Sequence, residues 1–175
     1  GDGPVPLLIA LHGAGDSGPN FKQGAGLDKE ADRRGFLVAY PTASGVNWAE
    51  GCNCVRPDLD GVDDIGFLDA VIADVGSRHA IDPDRVYALG YSQGGLFAQY
   101  IACERSETYA GIATISGMMS LPVSQSCQPS GSPDIFLLHG EEDPVLPFEG
   151  VPSGAYATLG VLETFHFWRD VRSEE

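Results

Sequence analysis

The chain has 175 residues, 43% apolar and 20% charged, which fits one soluble globular domain with a single core and excludes a disordered polymer. Its 25 acidic and 10 basic residues give a net charge of −15, a field that repels nucleic acid and anionic membrane surfaces and suits a neutral substrate. No apolar run is long enough to span a bilayer, and no signal-peptide pattern opens the chain.

Short apolar runs alternate with amphipathic stretches, the pattern of a parallel sheet with crossover helices. Leu7-Leu8-Ile9-Ala10-Leu11 predicts a strand buried on both faces. Residues 27–34 predict a helix stopped by Gly35, and residues 36–40 a second strand ended by Pro41. Residues 42–62 form a long irregular stretch carrying Trp48, Cys52 and Cys54; loops of this length in a compact domain are functional or pinned by disulfides. Asp63 or Asp64 caps the next helix, in which Ile65, Leu68, Ile72 and Val75 share one face. Asp82-Pro83-Asp84 reads as a turn into the strand Arg85-Val86-Tyr87-Ala88-Leu89. A helix after Ser92 runs through Leu96, Tyr100 and Ile101, and residues 112–115 and 134–139 are further strands. Val161, Leu162, Phe165 and Trp168 recur at helical spacing. No repeat or linker divides the chain, so residues 1–175 are expected to form one α/β domain.

Cys52, Cys54, Cys103 and Cys127 allow three pairings, among which spacing does not choose. Structural disulfides or buried thiols are the simple reading. The C-x-C at Cys52 lacks the second close pair of a zinc site, so neither metal nor cofactor is expected. An even cysteine count in an acidic chain whose only lysines are Lys22 and Lys29 points to a secreted, extracellular protein.

Three motifs carry chemistry. Gly90-Tyr91-Ser92-Gln93-Gly94 stands between an apolar strand and a helix, the context of a nucleophile elbow, with Ser92 as the nucleophile. Glycines flank the serine because side chains there collide with the strand and the helix. Leu11-His12-Gly13-Ala14-Gly15 ends the first strand, where this kind of site takes one oxyanion-binding N–H. Ala14, or Gly13, is the candidate for that donor, and Gln93 for the second. His139-Gly140-Glu141-Glu142-Asp143 follows a late strand, and Asp143 is the candidate acid that orients an imidazole. Trp48, Tyr91 and His12 are the candidate substrate-facing residues. Trp48 equally suits pinning the long loop, and His12 shaping its own.

These motifs, with Val62-Asp63-Asp64-Ile65-Gly66-Phe67, Asp84-Arg85-Val86-Tyr87, Ser116-Gly117 and Pro147, resemble the secreted polyhydroxybutyrate depolymerase and feruloyl esterase family over residues 7–168. The resemblance implies an α/β-hydrolase fold, a mostly parallel central sheet with helices on both faces, and a Ser-Asp-His triad without metal. It implies ester substrates: hydroxyalkanoate oligomers, feruloylated or acetylated polysaccharide, or small aryl esters. The acyl-protein thioesterase and carboxylesterase group is the nearest rival, sharing His-Gly-x-Gly-Asp-x-Gly, matched at residues 12–18, and Ser-Gln-Gly-Gly. The chain departs from the family in one respect. The family's histidine follows the acid after a further strand, whereas the only histidine after Asp143 is His166, flanked by Phe165 and Phe167 in a helical pattern. The catalytic histidine is therefore not identified. Both ends read as cut, so the first and last strands of the full fold are expected to be missing from this stretch. The competing reading is a non-catalytic ester- or glycan-binding domain that kept the scaffold and lost its base. Nothing in the sequence sets the oligomeric state.

Overall fold

The first apolar run becomes β1 (Val5–Leu11) in a computed structural model that describes residues 3–173. Leu7, Ile9, Ala10 and Leu11 have no exposed surface, because sheet neighbours and helices cover this strand on every side. It pairs in parallel with β2 (Leu37–Ala39) on one edge and β3 (Ile81–Tyr91) on the other. The sheet continues through β4 (Gly111–Ile115) to β5 (Asp134–Leu138), giving the order β2-β1-β3-β4-β5. The helices are α1 (Gly18–Ala25), α2 (Leu27–Arg34), α3 (Arg56–Leu59), α4 (Asp64–Arg78), α5 (Gln93–Glu104), α6 (Leu121–Ser126) and α7 (Val161–Ser173). The step from β1 to β2 runs one way along the sheet and the later steps run the other. Right-handed crossovers therefore place α1 and α2 on one face, and α4 and α5 on the opposite face. This is the α/β-hydrolase arrangement. Among the described residues no helix is long and apolar enough to cross a membrane.

Register decides where the chemistry can sit. Leu11 stands opposite Gly90, Tyr91 opposite Ile115, and Ile115 opposite Leu138. The loops beginning at His12, Ser92, Ser116 and His139 thus leave the sheet side by side at its carboxyl edge, where parallel sheets present their ligand sites.

Besides α3, inside the stretch expected to be irregular, and α6, which no pattern announced, two features differ from the sequence expectation. β3 begins at Ile81 rather than Arg85: Val5 pairs with Ile81 and Leu7 with Val86, so the Asp82-Pro83-Asp84 turn is a bulge inside the strand. The turn forms as expected, with Asp82 accepting from the Asp84 N–H at 3.1 Å. The second is α1, whose polar, glycine-bearing sequence gives little periodicity. Pro19 favours its first turn. The Gly18 N–H donates to Thr42 Oγ1 at 2.9 Å, and a Cβ there would lie 2.0 Å from the Tyr40 carbonyl oxygen.

The two acids at 63 and 64 divide their roles. Asp63 caps α4, accepting from the Gly66 N–H at 2.7 Å. Asp63→Ala is expected to cost about 1 kcal/mol, read as a lower urea midpoint with an unchanged slope. Asp64 is buried instead and accepts from the Ala49 N–H at 2.8 Å, tying the long loop to α4. Burial raises its carboxyl above the usual range, the Ala49 bond opposing the rise. Cys103 pairs with Cys127, joining the ends of α5 and α6, and Cys52 pairs with Cys54 within the long loop.

Candidate active site

Ser92 occupies the turn between β3 and α5 with φ +52° and ψ −121°, a strained conformation for a residue with a side chain. The turn closes only with glycine around it. A Cβ on Gly90 would lie 2.0 Å from the Gly94 carbonyl oxygen, and one on Gly94 would lie 2.4 Å from that of Leu11. The Ser92 N–H donates to the Ile115 carbonyl at 2.9 Å, and its own carbonyl accepts from Gly95 at 2.7 Å. Its side chain is thereby held at the mouth of a cleft of about 450 Å³ at the carboxyl edge. Ala14, Gln93, Asn47, Leu96, Val145 and Tyr156 also line this cleft.

The two expected oxyanion donors are brought together with Ser92. Gln93 opens α5, so its N–H has no helical partner. The Ala14 N–H makes no hydrogen bond among the described residues. What holds them is the buried group behind the cleft. Gln93 Oε1 accepts from the Trp48 N–H and its Nε2 donates to the Trp48 carbonyl, both at 3.2 Å. Trp48 Nε1 donates to the His12 carbonyl at 2.9 Å, and its ring stacks on Phe97 at 5.1 Å. His12 Nε2 accepts from the Ala43 N–H at 3.1 Å, so its proton sits on Nδ1, which donates to the Gly13 carbonyl at 2.8 Å.

This arrangement corrects the expectation for two of the three substrate-facing candidates, Trp48 and His12. Trp48 and His12 have no exposed surface, because every polar atom cited above faces the protein interior. Tyr91, next to Ser92, is 46% exposed, lies near Gly13 and stacks on Phe21.

Asp143 begins a turn after β5. One oxygen accepts from Val145 at 2.9 Å and from Leu146 at 3.0 Å. These two bonds, the Leu146 bond foremost, lower its pKa, with the Ser116 hydroxyl and the nearby His139 adding to them. Asp143 thus stays ionised and is joined to the loop that follows β4. It lines a second hollow with Pro147 and Phe148, whereas Val145 and Leu146, which donate to it, line the Ser92 cleft. His139 lies behind the acid, its Nε2 2.7 Å from the Leu146 carbonyl and 3.7 Å from Asp143 Oδ2. None of the four histidines lines the cleft: His79 ends α4, and His166 is on the exposed side of α7.

The sequence reading missed Glu50. It lines the cleft at 3% exposure, with the Gln93 amide near its carboxyl. The signal was available as an acid between Ala49 and Gly51 in an otherwise apolar run, but nothing in spacing says that the run is buried. Burial pushes its pKa up to about 8; the Gln93 amide opposes this and Asp58 adds repulsion. Glu50 and the sulfurs of Cys52 and Cys54 lie within 4.8 Å of one another, but the two sulfurs are bonded to each other and offer no thiolate to a metal. Because the folded state keeps the proton while the unfolded chain ionises near 4.5, Glu50 erodes stability as pH rises from about 4.5 to about 8. That penalty is absent below this window and complete above it. Glu50→Gln, which carries no charge, is expected to melt several degrees above the parent at pH 8 and level with it at pH 4.

Comparison with known proteins agrees with the geometry. Residues 66–158 match the phospholipase/carboxylesterase family. A protein of Nocardia uniformis subsp. tsuyamanensis named as an esterase, NocK, is 33% identical over 89% of this chain and 45% of its own length. Feruloyl esterase B of Piromyces equi is 28% identical over 96% of this chain and 32% of its own. The chain thus spans less than half the length of these two relatives. The crystal structure of a phospholipase/carboxylesterase from Dyadobacter fermentans superposes with a TM-score of 0.69 at 17% identity, covering 97% of this chain and 77% of that one. The matched segment runs from the start of α4 through the elbow to the edge of the cleft, more than half of the sequence, and the chain belongs to the phospholipase/carboxylesterase family.

Proposed function

We propose that the protein is a serine carboxylic-ester hydrolase with Ser92 as its nucleophile. The observation that carries this reading is the joint placement of a strained Ser92 and the free N–H groups of Gln93 and Ala14 in one cleft. In the reaction Ser92 Oγ attacks the ester carbonyl and gives its proton to an imidazole, while the two N–H groups hold the oxyanion. The alcohol leaves with that proton, and water then hydrolyses the acyl-enzyme. Asp143, kept ionised by its backbone donors, is the acid that orients the imidazole. The substrate is a neutral ester of a phenolic acid, a hydroxy acid or an acylated polysaccharide. Among the described residues the lining contains no Lys, Arg or His to meet a charged one, and one relative is named a feruloyl esterase. Two disulfides suit work outside the cell.

One observation favours a second reading. No imidazole lines the cleft among the described residues, as in an ester- or glycan-binding domain without catalysis. Hydrolysis of p-nitrophenyl acetate by the full-length protein decides between them: turnover above the buffer rate, inhibited by a phosphonofluoridate, is expected, and its absence would favour the binding domain.

A further inference from the structure

Several polar side chains of the cleft have no part in the hydrolytic scheme, Asn47, Ser120, Tyr156 and Thr158 among them, and among the described lining residues Glu50 is the one that carries a carboxyl. Glu50 is 97% buried by its 3% exposure, lines the same cleft as Ser92, and leaves Oε2 without a hydrogen-bond partner among the described residues. An unpaired buried oxygen costs free energy, so its retention needs a reason outside the fold. The loop does not depend on this carboxyl. It is held on one side by Asp64 on the Ala49 N–H and on the other by Asp58 on the Gly51 N–H, at 3.0 Å. The backbone on both sides of Glu50 is clamped by these two bonds, and the Gln93 amide lies near its carboxyl. Around it the wall is apolar, made by Val55, Leu96 and the Cys52–Cys54 disulfide. Among the described residues of the cleft, Glu50 Oε2 and Ser120 Oγ are the buried side-chain oxygens left unpaired, and Glu50 is the one that can present a carboxyl to a ligand.

We propose that Glu50 is the specificity-determining residue of this cleft, hydrogen bonding through Oε2 to a hydroxyl group on a neutral ester whose carbonyl stands at Ser92. The proposal rests on the esterase reading and names its substrate class: hydroxylated esters over equally sized esters without the hydroxyl. A hydroxyl both donates and accepts, and a carboxyl that burial keeps protonated at neutral pH does the same. Asp58, from α3, is the charged group that acts on Glu50, and among the described residues no cation shares the lining to pull a proton from it. A ligand lacking the hydroxyl leaves Oε2 unpaired, the situation in which polar sites discriminate most strongly.

The test measures kcat/KM of the full-length protein on two matched pairs, p-nitrophenyl butyrate against 3-hydroxybutyrate and methyl cinnamate against methyl 4-hydroxycinnamate. The parent is expected to prefer the hydroxylated member of at least one pair by about tenfold. Glu50→Gln, which still donates and accepts, keeps that preference within about threefold. Glu50→Met loses it, mainly through a higher KM for the hydroxylated member; Glu50→Ala repeats the test should the Met variant not fold. Absence of a preference in the parent, a preference unchanged in the apolar variants, or an equal loss on both members of a pair overturns the proposal. Calorimetric binding of the same pairs to Ser92→Ala separates the two readings. A Glu50-dependent difference in binding without hydrolysis by the parent overturns the esterase and leaves the subsite standing. Hydrolysis without such a difference does the reverse.

Discussion

Ser92→Ala is expected to reduce kcat/KM on a short p-nitrophenyl ester by at least about a thousandfold, leaving a protein that melts within a degree or two of the parent. Both halves follow from the elbow. The substitution removes one oxygen and keeps the Cβ that packs against Gly13. The hydrogen bonds that set the turn, from Ser92 to Ile115 and from Gly95 and Leu96 to Ser92, are all made by backbone atoms and survive. The oxyanion donors also survive, so a small residual rate over water is compatible with the scheme. A phosphonofluoridate should add its mass to the parent and not to the variant. Equal rates in the two proteins would sink the enzyme reading and leave the binding domain.

Several features were legible because they are local. The strand at Leu7 declares itself as an unbroken apolar run, since both faces of a parallel sheet are covered. The elbow is legible because a turn so tight that a Cβ would meet backbone at 2.0 Å accepts only glycine, and so writes its glycines into the sequence. The helix cap was narrowed to two adjacent acids, of which Asp63 takes the role.

What was hidden depends on which way a side chain faces once distant segments meet. Trp48 in a long loop reads equally as a lining or a pin, and only the fold shows its indole N–H aimed at His12 and its ring on Phe97. The cysteine pairing needed the ends of α5 and α6 in space. Glu50 and Asp64 look like surface acids in an acidic chain, yet both are buried because the loop folds over the start of α5 and α4. The bulge at Asp82 was read as a turn because the residues that make a turn also make a bulge, and only the pairing of Val5 with Ile81 distinguishes them.

Trp48→Ala should cost about 3–5 kcal/mol, seen as a fall in melting temperature of roughly 6–20 °C. The substitution empties a site with no exposed surface and removes the ring that stacks on Phe97. It also strips the His12 carbonyl of its indole donor in a buried setting, which adds a desolvation penalty to the cavity. Trp48→Phe separates the two terms, since it keeps most of the stack and loses the N–H. It is expected to retain over half of the lost stability while still lowering kcat, because the His12 carbonyl begins the loop that carries Ala14. Both variants should depress aromatic and aliphatic esters by the same factor, as Trp48 lies behind the cleft and not along it. A KM rise confined to cinnamate-type esters would mean that the indole meets the acyl group, and would return Trp48 to the substrate pocket.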